Sequence, residues 1–327
     1  MLDWTKARLG ATVTIGVVVA LASACSEAPP VQEEAAPPVE VTAVPTEFQS
    51  PLVSTAWLAA NLDRNDVIVL HVERQDREYT GNHIPGARYV PIIDITWDGE
   101  QGWRFELRSV AELEEALGQA GVTNDSYVVV TGTRTTTTAR LWMTLDYLGH
   151  GDRSALLDGG LQAWGDEGRS LEKGDSPSVV PTQFVATVRE GMQVSADWIA
   201  RRLLDPAVAL LDARPDDEYT GEDGGMGGMA NPGHIPGAVQ LYWEDLTVEG
   251  NPHKFKSRAE LATLYEQSGV LDDGATVSYC MVGLRASVNY MVGRMLGYDM
   301  RFYDGSWHDW GTRDDLPFVS GTEPAAP

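Results

Sequence analysis

A domain-sized internal repeat constrains this chain more than any other feature. Two stretches roughly 150 residues apart carry the same signposts in the same order. The first opens Val53-Ser54-Thr55-Ala56-Trp57-Leu58 and the second Val194-Ser195-Ala196-Asp197-Trp198-Ile199. Each Ser is placed to cap a short helix. Apolar runs follow, Val67-Ile68-Val69-Leu70 and Val208-Ala209-Leu210-Leu211. Then Glu78-Tyr79-Thr80-Gly81 matches Glu218-Tyr219-Thr220-Gly221, and His83-Ile84-Pro85-Gly86-Ala87 matches His234-Ile235-Pro236-Gly237-Ala238. Later runs, Tyr127 to Thr131 and Thr276 to Cys280, lead into helices ending at Leu148-Gly149 and Leu296-Gly297, where glycine suits the C-cap. The last matches are Leu157-Asp158-Gly159-Gly160 and Tyr303-Asp304-Gly305-Ser306. Short β-rich runs alternating with helical stretches predict an α/β fold of two tandem domains, each a parallel sheet flanked by helices. A repeat this long is a tandem duplication, not a solenoid.

The copies differ at the loop that matters most for chemistry. The second reads Tyr279-Cys280-Met281-Val282-Gly283-Leu284-Arg285-Ala286-Ser287 between a strand and a helix. A thiol there meets converging backbone N–H groups and the positive end of the helix, both of which favour thiolate. The first copy has Gly132 in the place of Cys280, and Val72 in the place of Asp212. A Gly/Met-rich stretch, Gly221 to Asn231, stands in the second copy where the first has only Gly81-Asn82. The first copy therefore reads as scaffold and the second as the working half.

The N-terminus is a targeting segment. Lys6 and Arg8 precede an apolar run from Leu9 to Leu21, followed by Ala22-Ser23-Ala24-Cys25. That is the layout of a secretory signal, and its end resembles the lipobox of bacterial lipoproteins, with Cys25 as the lipidated residue. The expected organisation is a signal peptide over 1–24 and a Pro/Glu-rich tether over 25–49. A first domain over 50–176, a linker over 177–192, a second domain over 193–319 and a polar tail over 320–327 follow. By the rules of that lipoprotein family, Ser26 after Cys25 implies the periplasmic side of the bacterial outer membrane; an ordinary cleaved signal would instead give a soluble periplasmic protein. With Cys25 lipidated, Cys280 has no disulfide partner, which marks a reactive thiol in an exported protein. A net charge of −24 argues against nucleic acid and anionic membrane surfaces as partners and leaves room for a small anionic substrate at a locally positive loop. Membrane contact is expected only through the N-terminal lipid anchor.

Taken together, Leu211-Asp212-Ala213-Arg214, Glu218-Tyr219-Thr220-Gly221, Gly233-His234-Ile235-Pro236-Gly237-Ala238, Cys280 to Arg285 and Tyr303-Asp304-Gly305-Ser306-Trp307 resemble the rhodanese sulfurtransferases. The resemblance spans about 50–320, both copies, and includes a first domain without the cysteine. It implies an active site in the cleft between the domains, with Cys280 as the nucleophile. The cysteine would take a sulfane sulfur from a small donor anion, become a persulfide, and pass the sulfur to cyanide or a thiol. Such a cycle has two covalent steps and two anionic sulfur states. Amides from Met281 through Val282, Gly283 and Leu284 to Ala286 would form an anion-binding nest, with Gly283 supplying the unusual backbone angle. Arg285 would bind the donor at the rim. Asp212 and Arg214, just past a strand end, would form an internal ion pair that orients the loop, or Arg214 would be a further substrate contact with Asp212 as its structural support. His234 and His308 read as packing residues, and no cofactor is expected. Six scattered histidines and one usable cysteine make no metal cluster, and no phosphate loop is present.

Dual-specificity phosphatases of the cell-cycle type share this fold but carry one more residue between Cys and Arg. Here Met281 to Leu284 intervene, and Ala286 stands where that arginine would fall. The shorter loop suits one sulfur atom. Mercaptopyruvate enzymes carry a different loop and an arginine where this chain has Glu218. The Arg285 ending resembles bacterial thiosulfate enzymes, so thiosulfate is the expected donor. The alternatives are mercaptopyruvate, or a non-catalytic persulfide carrier or interaction module.

Overall fold

Serine caps begin the equivalent helices of both halves. In the computed structural model, which describes residues 48–98, 105–224, 231–270 and 272–322, Ser54 Oγ accepts from Trp57 N–H and Ser195 Oγ from Trp198 N–H. Cys25, the expected signal segment and most of the expected tether lie outside the described residues, as does the middle of the Gly221 to Asn231 stretch.

The first half runs β1 (Leu52–Val53), α1 (Thr55–Asn61), β2 (Val67–Glu73), α2 (Asp76–Gly81), β3 (Arg88–Pro91) and α3 (Ile92–Ile95). It continues through β4 (Thr96–Trp97), β5 (Glu106–Leu107), α4 (Val110–Gln119), β6 (Tyr127–Thr131), α5 (Thr135–Tyr147), β7 (Ser154–Leu157) and α6 (Gly160–Asp166). The second half runs α7 (Ala196–Ala200), β8 (Val208–Asp212), α8 (Asp216–Thr220), β9 (Ala238–Gln240), β10 (Thr247–Val248) and β11 (Asn251–Phe255). It ends with α9 (Arg258–Gln267), β12 (Ala275–Tyr279), α10 (Ala286–Leu296), β13 (Asp299–Phe302) and α11 (Ser306–Trp310). The sheet orders are β1-β7-β6-β2-β3 and β13-β12-β8-β9, all parallel. A single parallel bridge, Gln193 to Phe302, stands where the first sheet has β1. Parallel sheets covered on both faces need nearly continuous apolar strands, and β2 and β6 are of that kind, buried over almost their whole length.

The two halves share a core. One apolar cluster contains Leu113, Trp142 and Leu145 from the first half and Leu261, Tyr290 and Phe302 from the second. Helix α5 lies against α10, with Trp142 and Tyr290 ring centroids 6.5 Å apart. At this seam buried Asp146 accepts from Tyr290 Oη (2.6 Å), Arg189 Nη1 (2.5 Å) and Arg294 Nε (3.1 Å). The stretch over 177–192 is a strap on the first half. Thr182 N–H bonds Gly118 O, Thr187 N–H bonds Leu148 O, and Phe184 is buried. The segment from Pro181 to Val188 is not part of a sheet strand.

Each half sends a hairpin across the seam. In β4–β5, Leu107 N–H donates to Asp304 Oδ2 (2.8 Å) of the second half. In β10–β11, Phe255 N–H donates to Asp158 Oδ1 (3.1 Å) of the first. The neighbours of these two residues differ in sign: Lys254 pairs with Asp158, whereas Glu106 faces Asp304. Burial first, then the carboxylates of Asp304 and Asp309, push the Glu106 carboxyl up to about 7 against the pull of Arg140. A raised carboxyl favours the folded hairpin in its protonated form. The contribution is full below the ordinary glutamate value of about 4.3 and is lost as pH rises through about 7. Amide exchange at Leu107, corrected for its intrinsic pH dependence, should accelerate across that window. Glu106→Gln should flatten the rise; an unchanged profile in the variant would exclude Glu106 as its source.

Candidate functional site

The site begins where β12 stops. This strand is flanked by β8 and β13, and its chain emerges at the carboxyl edge of the sheet, where ligands of α/β folds gather. Six residues, Cys280 to Arg285, turn the chain into α10. Cys280 is fully buried, and its Sγ accepts from Gly283 N–H at 3.1 Å. Gly283 reaches this position with φ +83°, a region only glycine enters cheaply. Of the expected nest, Gly283 is the loop amide seen bonded to sulfur. Ser287 holds the turn from the helix side, its Oγ donating to Gly283 O at 2.9 Å.

The loop is also held from behind. Cys280 N–H donates to Ser306 Oγ (3.2 Å), which in turn donates to Tyr303 O (3.0 Å). Trp307 N–H and His308 N–H donate to Cys280 O and Met281 O. Ser306 sits at φ +54°, where the first copy has Gly160 at φ +60°. A non-glycine residue there costs of order 1–3 kcal/mol. What serine adds over glycine is the hydroxyl beneath the cysteine amide. Sequence reasoning missed Ser306, although the Gly160/Ser306 difference was visible in the aligned copies.

The expected substrate contacts divide. Met281, Val282 and Leu284 are buried, and Met281 and Val282 pack with Tyr279, Tyr303 and Trp307, so their side chains serve the core. Arg285 lies at the loop end, as expected, with a fork to Glu218: Nη1 to Oε1 at 2.8 Å and Nη2 to Oε2 at 2.7 Å. Burial opposes its charge, but the bond to Glu218 and then the field of Cys280 hold its pKa above the ordinary arginine value. Glu218 was the missed partner. The first copy repeats the pair as Arg134 and Glu78, so the shared Glu-Tyr motif beside a loop arginine was its signal.

Of the two roles open to Arg214, the structure shows the ion pair, which corrects the substrate contact. Its guanidinium, 1% exposed, forks onto Asp212 (Nε–Oδ1 2.9 Å, Nη2–Oδ2 2.6 Å) and reaches Gly233 O at 2.8 Å. Its Cζ lies 4.7 Å from the centre of the Trp307 ring. It ties the end of β8 to α11 and the turn before β9 and faces no open site, so it joins Asp212 as structural support. Side-chain direction, which spacing does not encode, decided this. The packing roles read for the histidine before each Pro-Gly turn hold: His234 stacks on Tyr219 at 3.8 Å, and His83 stacks on Tyr79 at 4.1 Å.

The first copy shows what the loop becomes without sulfur. Glu73 accepts from both the amide and the hydroxyl of Thr133, and also meets His71 Nε2 at 3.0 Å. A Cβ at Gly132 would lie 2.6 Å from Val72 O and 3.2 Å from Glu73 Oε1. From outside, His253 of the second half covers the loop, its Nδ1 2.9 Å from Thr135 Oγ1. Among the described residues, no group of three or more His, Cys, Asp or Glu is placed to hold a metal.

Comparison with known proteins agrees with this geometry. The description "Rhodanese-like domain" matches twice, over 54–167 and 195–313. The sulfur carrier protein TtuD of Thermus thermophilus is 34% identical over 83% of this chain and 97% of its own length. The thiosulfate sulfurtransferase of Pseudomonas aeruginosa is 30% identical over 81% of this chain and 96% of its own. Among solved structures, the anaerobic ergothioneine biosynthesis enzyme from Chlorobium limicola superposes with a TM-score of 0.74 at 25% identity, over 84% of this chain and 71% of that one.

Proposed function

Because the chain belongs to the rhodanese family, we propose that it is a sulfurtransferase that carries a sulfane sulfur on Cys280. The observation that carries this reading is the enclosed Cys280 with Gly283 N–H on its sulfur. The thiolate attacks the outer sulfur of thiosulfate, the S–S bond of the donor breaks, and sulfite leaves with that bond's electron pair. The persulfide anion keeps the charge of the thiolate. Cyanide or a thiolate then takes the outer sulfur, giving thiocyanate or a new persulfide and regenerating the Cys280 thiolate. Thiosulfate is the donor favoured by the Arg285 ending and by the relatives named for it. Since Arg285 is paired with Glu218 at rest, a donor that uses Arg285 has to exchange with that carboxylate. The similarity to a sulfur carrier protein favours a second reading, in which the persulfide is delivered to a protein acceptor.

Mass spectrometry tests the common step. Protein incubated with thiosulfate and freed of donor should gain one sulfur atom on the Cys280 peptide. Cyanide should remove it as thiocyanate. A peptide that stays unmodified with thiosulfate, mercaptopyruvate and polysulfide alike would end the reading.

Export with a lipid on Cys25 belongs to the same proposal, supported by the basic start, the apolar run and the Ala22-Ser23-Ala24-Cys25 end. Cys25→Ser should convert a detergent-partitioning protein into an aqueous one. Unchanged fractionation would remove the anchor.

A further inference from the structure

The two copies serve as each other's control: features they share belong to the fold, and features confined to the cysteine loop point to its chemistry. The Arg285–Glu218 pair is shared, since Arg134 and Glu78 repeat it. Arg140 is not. Counting back from the helix ends Leu148-Gly149 and Leu296-Gly297, its mate in α10 is Val288. Arg140 belongs to the first half, is wholly buried, and packs against the second. Its Nη2 donates to Asp304 Oδ1 (2.6 Å) and Phe105 O (2.5 Å). Its Nε and Nη1 have no partner among the described residues. Nη1 would stand 3.0 Å from a Cβ built on Gly283, so the free edge of the guanidinium lies against the residue whose amide holds the sulfur.

The bland reading makes Arg140 a strut, the counter-ion of Asp304. In the first copy Asp158 meets the same need through exposed Lys254. A strut explains Nη2 and leaves the other edge unexplained. Nε and Nη1 together carry three buried, unbonded N–H groups, and leaving buried donors unbonded is costly, a large penalty for a role that a surface lysine fills elsewhere. The cost is understandable if a second negative charge forms nearby during the cycle.

We propose that Arg140 is a positioning residue of the cysteine site: its free edge holds the Gly283 turn on the sulfur and supplies positive charge to the thiolate and persulfide. The first domain is then a working part of the site. The inference rests on Cys280 being the sulfur-bearing group. Other charges around the loop are Arg285 and Glu218 at its end, Asp212 and Arg214 beyond β12, and Asp304 and Glu106 beside Arg140.

Thiolate titration tests it without any sulfur transfer. The ultraviolet thiolate band of Cys280 is followed against pH in the full chain, with the matching Cys280→Ser protein subtracted. Arg140→Met and Arg140→Gln should each raise the midpoint by about one pH unit, the lower end of what an adjacent opposite charge contributes. Arg140→Lys should restore most of the shift. Midpoints equal to wild type in a folded neutral variant would overturn the proposal. So would failure of both neutral variants to fold while Arg140→Lys folds, which would assign Arg140 to the domain seam. A shifted midpoint beside an unloaded Cys280 would fault the sulfur-transfer reading and leave the electrostatic role standing.

Discussion

Cys280→Ser should stop thiocyanate release from thiosulfate, with a loss of about four orders of magnitude or more. Serine is close to isosteric and can still accept from Gly283 N–H, so the loop geometry at 3.1 Å has no reason to change. What disappears is the nucleophile. A serine hydroxyl does not ionise in the range where a thiol does, and oxygen in its place cannot hold a sulfane sulfur as a persulfide. Cyanolysis rates and thermal melts on both proteins check it together. Turnover in the serine protein above about one hundredth of wild type, with the fold intact, would place the sulfur on another group.

Asp212→Ala should be the most destabilising single change near the site, by about 3–5 kcal/mol. Arg214 would remain with its fork empty, almost without solvent, between the Trp307 ring and the turn at Gly233. In the first copy the strand register puts His71 at this position, against Glu73 at 3.0 Å, and Arg74 lies exposed over the Phe105 ring at 4.8 Å. The damage comes from the orphaned charge of Arg214. The double variant Asp212→Val/Arg214→Met should recover most of the loss, since apolar replacement of a whole buried pair is often near neutral. Urea unfolding of the two singles and the double closes the cycle. A double variant as unstable as Asp212→Ala would mean the pair makes bonds that apolar packing cannot replace.

Features that repeat or that local chemistry dictates were readable in the sequence. The duplication, the Ser54 and Ser195 caps, the strand-to-helix turn at Cys280 and its substitution by Gly132 all follow from pattern and spacing. Contacts between the halves were not. Arg140 meeting Gly283, Leu107 meeting Asp304 and His253 covering Thr135 join residues more than a hundred positions apart. No periodicity announces them. The choice between the two roles of Arg214 was unreadable for a related reason: spacing placed it at the right sheet edge, but its buried partner chose its direction.

The crowding at Gly132 bears on the history of the chain. A change of one base turns a glycine codon into a cysteine codon, so a lost nucleophile is genetically close at hand. In this structure the path back is obstructed. The new side chain would press on Val72 O at 2.6 Å and crowd the Glu73 carboxylate that now occupies the loop amide. His253 of the second half also closes the loop from outside. Packing thus backs the division of labour between the two halves, since the first loop has no room for a thiol without shifts of Glu73 and of backbone.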